Sequence, residues 1–364
     1  MKHYALIALM LATSAFADKR IDEVKNSAKS QGIELTFEMS PEGFKYAKGL
    51  IKPLGGKARV KKDKSFLRAE DRVPASFDIR SLLANTSYTE GCGVYDQGNC
   101  GSCVYNSIAR NFCDSLRLRN VPNIPKFLSR QELMSCTQGG RCNGEWAMNV
   151  GKYLKQLGGL HDEAAFPYKA SSSSSCPQVQ GVRYGQIQDT KVIDNSPKSM
   201  FTALNKGYPI SITVGADNAW MSYKSGVYNY CSTNAQTNHE ILLYGYRCIG
   251  TAVETIDGKQ YCKFDEKGNA PAGQVEILVP NSWGMWGEQG YMWTKLTNSN
   301  GRLCNNVTEE AVILETGIPM PTPKPPVPPT PVPVPFTFPK WLLFALIGLG
   351  GLLAGIFGSR LFKK

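Results

Sequence analysis

Apolar positions follow different periods in different parts of the chain, and each period predicts a different element. Near the start, Tyr4 to Ala12 is an apolar run too short to cross a bilayer. Val104, Ile108, Phe112 and Leu116 recur every four residues, which predicts a helix that lays one stripe on a core. His239 to Gly245 is a short strand-like run after the polar stretch Ser232 to Asn238. A second apolar run, Ile277 to Pro280, ends in the polar turn Asn281-Ser282-Trp283-Gly284. At the far end, Trp341 to Ser359 is 19 residues without a charge. At ~1.5 Å per residue it would reach roughly 28 Å, close to a ~30 Å hydrocarbon core, so 340–359 is predicted to be a membrane helix.

Composition narrows the class. The chain has 364 residues, 42% hydrophobic and 20% charged, which excludes a wholly disordered polypeptide. Its formal charge of +11 suggests a polyanion partner until the charge is located. Residues 73–318 hold 21 basic and 21 acidic side chains and are neutral, so no nucleic-acid partner is expected. The excess lies at the ends. Met1-Lys2-His3, the apolar run and Ala15-Phe16-Ala17 read as a signal peptide, 1–17. Pro319 to Pro339 holds 11 of the 22 prolines and reads as an extended stalk, 319–339. The trailing Arg360, Lys363 and Lys364 place the tail 360–364 in the cytoplasm and the body outside it, anchored by the C-terminal helix. A sorting signal that is later removed is the alternative for that tail.

All 11 cysteines fall within 73–318, and an exported chain meets an oxidising compartment. An odd count leaves one thiol over when five bridges form. Cys103 is the candidate, because it opens the helix marked by Val104 to Leu116, where unpaired N–H groups and the dipole favour a thiolate. The body has two histidines. His161, in Gly158-Gly159-Leu160-His161-Asp162-Glu163, reads as a solvated loop residue. His239 opens a strand-like run, and the Asn281 amide could hold its imidazole in one tautomer beneath Trp283. No metal-ligand cluster and no cofactor is read from the sequence.

Gln97-Gly98-Asn99-Cys100-Gly101-Ser102-Cys103 resembles the active-site segment of the papain-like, cathepsin-like cysteine peptidases. His239 follows Cys103 by 136 residues and Asn281 by 178. Further similar blocks are Val73 to Arg80, Leu128 to Leu133 before Cys136, Cys142-Asn143-Gly144, Tyr223 to Tyr228 and Trp286 to Tyr291. The resemblance implies an α+β, two-lobed papain-like fold. A helical lobe would be led by the Cys103 helix, a β-barrel-like lobe would carry His239 and Asn281, and the cleft would lie between them. It also implies roles: Cys103 as nucleophile, His239 as general acid/base, Asn281 as its orienter, and Gln97 with the Cys103 N–H as the oxyanion hole. Gly144, Glu145 and Trp283 would line the substrate site. Family-like bridges would be Cys100–Cys142, Cys136–Cys176 and Cys231–Cys304, leaving Cys92 with Cys113 and Cys248 with Cys262. The last pair flanks Arg247 to Tyr261, which reads as a hairpin turning at Asp257-Gly258.

Val104 stands where the family usually has Trp, Glu145 where a second glycine is usual, and Glu240 where a small residue follows the histidine. Glu145 would narrow the cleft or attract a basic residue, or simply point outward. The same resemblance implies that residues 18–72 would be an inhibitory propeptide, with a flexible basic arm as the alternative. The expected function is a membrane-anchored, extracytoplasmic endopeptidase acting on proteins or peptides through a thioester, with its own propeptide as inhibitor. Two rivals remain: a thiol-disulfide oxidoreductase using Cys100 and Cys103, and an inactive papain-fold binding protein. The first rival leaves Gln97, His239 and Asn281 without jobs.

Overall fold

The computed structural model describes residues 2–45, 48, 62–63, 72–137, 141–172, 175–232, 235–308 and 310–322. The stalk beyond Thr322, the run Trp341 to Ser359 and the cationic tail lie outside the described residues. The N-terminal part forms α1 (Lys2–Ser30) and β1 (Phe37–Met39). The body follows as β2 (Ser76–Asp78), α2 (Cys103–Leu118), α3 (Arg130–Ser135), α4 (Ala147–Leu157), β3 (Asp189–Val192), α5 (Pro197–Asn205), β4 (Ile210–Val214), α6 (Asn218–Met221) and β5 (Tyr223–Tyr228). Then come β6 (His239–Leu243), β7 (Gly245–Cys248), β8 (Val253–Ile256), β9 (Lys259–Cys262), β10 (Val275–Pro280), β11 (Tyr291–Lys295) and β12 (Ala311–Glu315).

Two cores organise these elements. One gathers the apolar stripe of α2 with Leu133 of α3, Val150 and Leu154 of α4. The other is built from β4, β6, β7, β10 and the aromatic residues around Trp220 and Trp283. A four-stranded sheet in the order β3-β12-β4-β6 stands between them. Along β12, Ala311 and Ile313 enter the strand-rich core, whereas Val312 and Leu314 enter the helical one. The alternation follows from a two-residue side-chain period with apolar residues at every position. The second sheet, β1-β5-β11-β10-β7-β2, stays open, so this lobe is barrel-like without being a closed barrel.

Every residue of α2 is buried, its polar face included. The stripe Val104, Ile108, Phe112 and Leu116 packs as its spacing predicts. The opposite face is polar yet dry, and its side chains are hydrogen-bonded across the lobes, as buried polar groups must be. Ser107 and Asn111 both reach Ser211 of β4, and Arg110 reaches Tyr244 and Tyr291.

The segment before the body lies along both sheets. β1 pairs antiparallel with β5, and Asp63 pairs with the backbone next to β3 through its N–H on Val192 (2.8 Å). α1 runs unbroken across the Ala17–Asp18 junction. Arg247 to Tyr261 does contain a hairpin, β8 with β9. Asp257 and Gly258 turn it with positive φ at both positions (51° and 73°), which suits the twist of a tight hairpin. The Cys248–Cys262 bridge closes its base, and Val73 to Ala75 pair along β9.

Candidate active site

The contact of α2 with β6 decides which residues share an end. Ser107 Oγ donates to the Ile241 carbonyl (3.1 Å), and farther along Arg110 Nε donates to Tyr244 Oη (3.1 Å). Later helix positions meet later strand positions, so the two elements run the same way. Cys103 stands one helical turn before Ser107, and His239 stands two residues before Ile241. Both therefore sit at the leading end of this contact. Cys103 is fully buried and is the one cysteine outside a bridge.

His239 Nε2 lies 2.8 Å from Asn281 Oδ1. The Ser282 backbone N–H donates to the same Oδ1 (2.7 Å). An N–H can only donate, so the Asn281 atom facing it must be oxygen, and His239 Nε2 must carry the proton. In the neutral ring Nδ1 is then the bare nitrogen, and it is buried with no hydrogen-bond partner. Asn281 is itself fixed at the end of β10 by its N–H on Gly290 (2.9 Å). The Trp283 ring stacks on the imidazole, centroids 4.7 Å apart and planes 24° apart, and excludes water from the Asn281–His239 contact. Trp286 braces Trp283 edge-on at 5.1 Å.

Gln97 comes to the same place through the loop ahead of α2. Its backbone N–H donates to the Ser282 carbonyl (2.8 Å), and Ser282 Oγ donates to Gln97 Oε1 (2.6 Å). That fixes the amide with Nε2 toward α2, where it donates to the Cys100 carbonyl (3.0 Å). Ser282 is a residue the sequence reading missed, although its place between Asn281 and Trp283 was a signal. Cys100 is bridged to Cys142, so Cys100 and Cys103 do not form a redox dithiol. The other bridges join Cys92 to Cys113, Cys136 to Cys176, Cys231 to Cys304 and Cys248 to Cys262, the pairs that the resemblance implies.

Cys142 also brings Gly144 to the loop that precedes Cys103, where Asn143 pairs with Gly101. Gly144 has φ 91°, a conformation that favours glycine. Glu145 Oε1 accepts from the Trp146 N–H (2.9 Å) and Asn149 Nδ2 (3.0 Å), so its carboxylate turns back onto the start of α4. Glu240 is fully buried, and neither carboxylate oxygen has a hydrogen-bond partner. Burial, then the charge of Glu310, pushes its carboxyl well above the usual range.

The electrostatics of His239 follow from its cover. Burial comes first, the Asn281 bond opposes it, and the Lys48 cation adds to it; together they hold the imidazole down to about 4. Lys48 belongs to the segment before the body, and it also feels the Asp217 carboxylate at the start of α6. In this form His239 is neutral at ordinary pH, with Nδ1 able to accept a proton.

His161 corrects the sequence reading. It is buried, with Nδ1 2.9 Å from Glu132 Oε1 and its N–H on Glu132 Oε2 (2.9 Å). Arg183 donates to the same carboxylate (2.6 Å). Glu132 of α3 thus makes His161 part of a structural tie between helix and loop. No group of three or more potential metal ligands occurs among the described residues.

The family model described as papain family cysteine protease matches residues 73–313. Cathepsin B-like CP2 of Giardia intestinalis is 28% identical over 305 residues, covering 80% of this chain and 92% of that protein. Gamete and mating-type specific protein A of Dictyostelium discoideum is 30% identical over 210 residues, 57% of this chain. The chain spans 41% of the length of that Dictyostelium relative. Among solved structures, the digestive procathepsin L2 proteinase of Tenebrio molitor larval midgut is similar at a TM-score of 0.60 and 25% identity, covering 82% of this chain and 90% of that one.

Proposed function

The chain belongs to the papain family of cysteine proteases, and from that premise we propose that it is an endopeptidase in which Cys103 attacks the substrate carbonyl. His239 Nδ1 takes the thiol proton and returns it to the leaving amine, and water activated by the same imidazole then hydrolyses the thioester. Asn281 keeps Nε2 protonated and the ring aimed. The Gln97 amide and the Cys103 N–H receive the oxyanion; losing one such donor typically costs on the order of 10²–10³ in turnover. The observation that carries this reading is the Asn281–His239 bond, which leaves Nδ1 bare at the end of α2 where the unbridged thiol stands. Gly144, Glu145 and Trp283 border the substrate path. The bridge from Cys100 to Cys142 argues against a redox role, and the filled positions argue against an inactive binding protein.

In this reading 1–17 is a signal peptide, 18–72 a propeptide, 73–318 the catalytic domain, 319–339 a stalk, 340–359 a membrane anchor and 360–364 a cytoplasmic tail, with the catalytic domain on the extracytoplasmic side. The pairing of β1 with β5 and the place of Lys48 near His239 support the propeptide as inhibitor. Five bridges fit an exported body. The anchor rests on the uncharged run Trp341 to Ser359. Among the described residues no helix is long and apolar enough to cross a membrane. Active-site titration with a thiol-reactive peptidyl epoxide, after removal of the propeptide, tests the chemistry. The wild type is labelled on Cys103 and Cys103→Ala is not; labelling that survives the substitution refutes the nucleophile.

A further inference from the structure

Arg130, the first residue of α3, is 6% exposed, an expensive place for a guanidinium. Its charge lies between the rings of Tyr95 (4.6 Å to the centroid) and Tyr168 (3.8 Å) and pairs with Glu163 (3.2 Å). Nη1 donates to Asn106 Oδ1 at 2.6 Å. A guanidinium only donates, so the Asn106 amide has one orientation, with Nδ2 toward Ser102. That Nδ2 donates to the Ser102 carbonyl (2.8 Å) and to Ser102 Oγ (3.0 Å). The Gln97 carbonyl can only accept, so Tyr168 Oη–H donates to it (2.9 Å). The Ser102 proton then goes to the shorter of the two contacts open to its hydroxyl, Tyr168 Oη at 2.6 Å against the Cys100 carbonyl at 3.4 Å. Four hydrogen bonds thus run in one direction, from a fixed cation to the backbone of Gln97.

Ser102 supplies a second, independent observation. It is the N-cap of α2, yet its side chain makes no capping bond. A Ser at the N-cap ordinarily stabilises its helix by accepting from a first-turn N–H. Here the hydroxyl serves the relay instead, directly before Cys103.

We propose that Arg130 and Asn106 are positioning residues: through Ser102 and Tyr168 they fix the backbone of Gln97 and the turn that carries Cys103, and so hold both oxyanion donors in register. The inference rests on the role given above to Gln97. Its effect falls on formation and on hydrolysis of the thioester, because both pass through a developing oxyanion that needs the donors aimed at it.

The test uses the enzyme freed of its propeptide, with Tyr168→Phe, which deletes one link and keeps the ring over Arg130, and Arg130→Met, which removes the cation. The expected result for each is a kcat lowered on the order of 10- to 100-fold, the scale of an ångström-sized misplacement, with KM within about twofold. Alkylation of Cys103 by iodoacetamide, which forms no oxyanion, should keep its rate and pH profile. In a Gln97→Ala background, Tyr168→Phe should cost clearly less than it does in the wild type, since losses that pass through a shared group are not additive. A folded Tyr168→Phe enzyme at the wild-type kcat overturns the inference. So do losses that multiply with Gln97→Ala, or alkylation that slows in parallel. If Arg130→Met does not fold, Tyr168→Phe decides. Gln97→Ala at the wild-type rate would instead refute the oxyanion-hole reading itself.

Discussion

Protonation of His239 should destabilise the proform in acid by an amount set by its burial. The perturbation is His239→Gln in a Cys103→Ala background, which lacks the thiol and cannot process itself. The unfolded imidazole protonates near its ordinary 6.5, and the folded one at about 4. Between those values the unfolded chain binds the extra proton. Stability therefore falls as the pH falls through that window and levels off below it. At about 1.4 kcal/mol per pH unit, the window amounts to about 3 kcal/mol. Carboxylates titrate in the same range, so the quantity that matters is the difference between the two variants. Chemical denaturation on either side of the window measures it. Cys103→Ala should lose about 3 kcal/mol more than the double variant, a fifth or more of a typical ~5–15 kcal/mol total. Adding Lys48→Met to Cys103→Ala should narrow that loss, because one cation no longer opposes the charge. Equal losses with and without His239 would refute the reasoning.

Three further outcomes follow from particular contacts. Phe37 of β1 packs against Tyr228 (4.7 Å) and Tyr223 (6.2 Å), and burying less by Phe→Ala typically costs about 3–5 kcal/mol. The 18–72 peptide carrying Phe37→Ala should therefore inhibit the mature enzyme at least ~100-fold more weakly, and a change in Ki under about threefold would deny β1 its anchoring role. Glu240 is held neutral by burial, so it favours the fold in acid and costs stability as the pH rises through its raised pKa. Glu240→Gln should match the parent in acid and melt higher at alkaline pH, by ~2–4 °C for each kcal/mol relieved; a Tm difference independent of pH would count against it. Replacing Cys248 and Cys262 by Ser should remove ~3 kcal/mol and raise hydrogen exchange at the N–H groups of Ala75 and Cys262, which pair Val73 to Ala75 with β9, while turnover persists. Unchanged exchange there would show that the hairpin holds without its staple.

Periodicity made α2 and the strands β6 and β10 legible, because each combines an apolar pattern with a clear polar boundary. The odd thiol, the sparse histidines and the Asn281-Ser282-Trp283 turn made the candidate site legible by residue type, and the resemblance supplied the pairing of its cysteines. What stayed hidden are contacts between residues far apart in sequence. His161 sits among Gly, Asp and Glu, which mimic a solvated loop, while the Glu132 that buries it comes from α3. Nothing in Ser129-Arg130-Gln131-Glu132 marks Arg130 as buried; only the fold brings Tyr95, Tyr168 and Asn106 around it. Strand alternation puts Glu240 on the face opposite His239, but nothing in its sequence neighbours announces that this face is dry.

Because β12 feeds alternate side chains to both cores, neither half of the body has a complete interior of its own. On the ribosome α2 emerges long before β12, yet the core it leads must wait for that strand, so chain synthesis and maturation of the interior are coupled. Expressing the halves as separate polypeptides should give two insoluble fragments, and any premature stop before Ala311 leaves both unfinished at once.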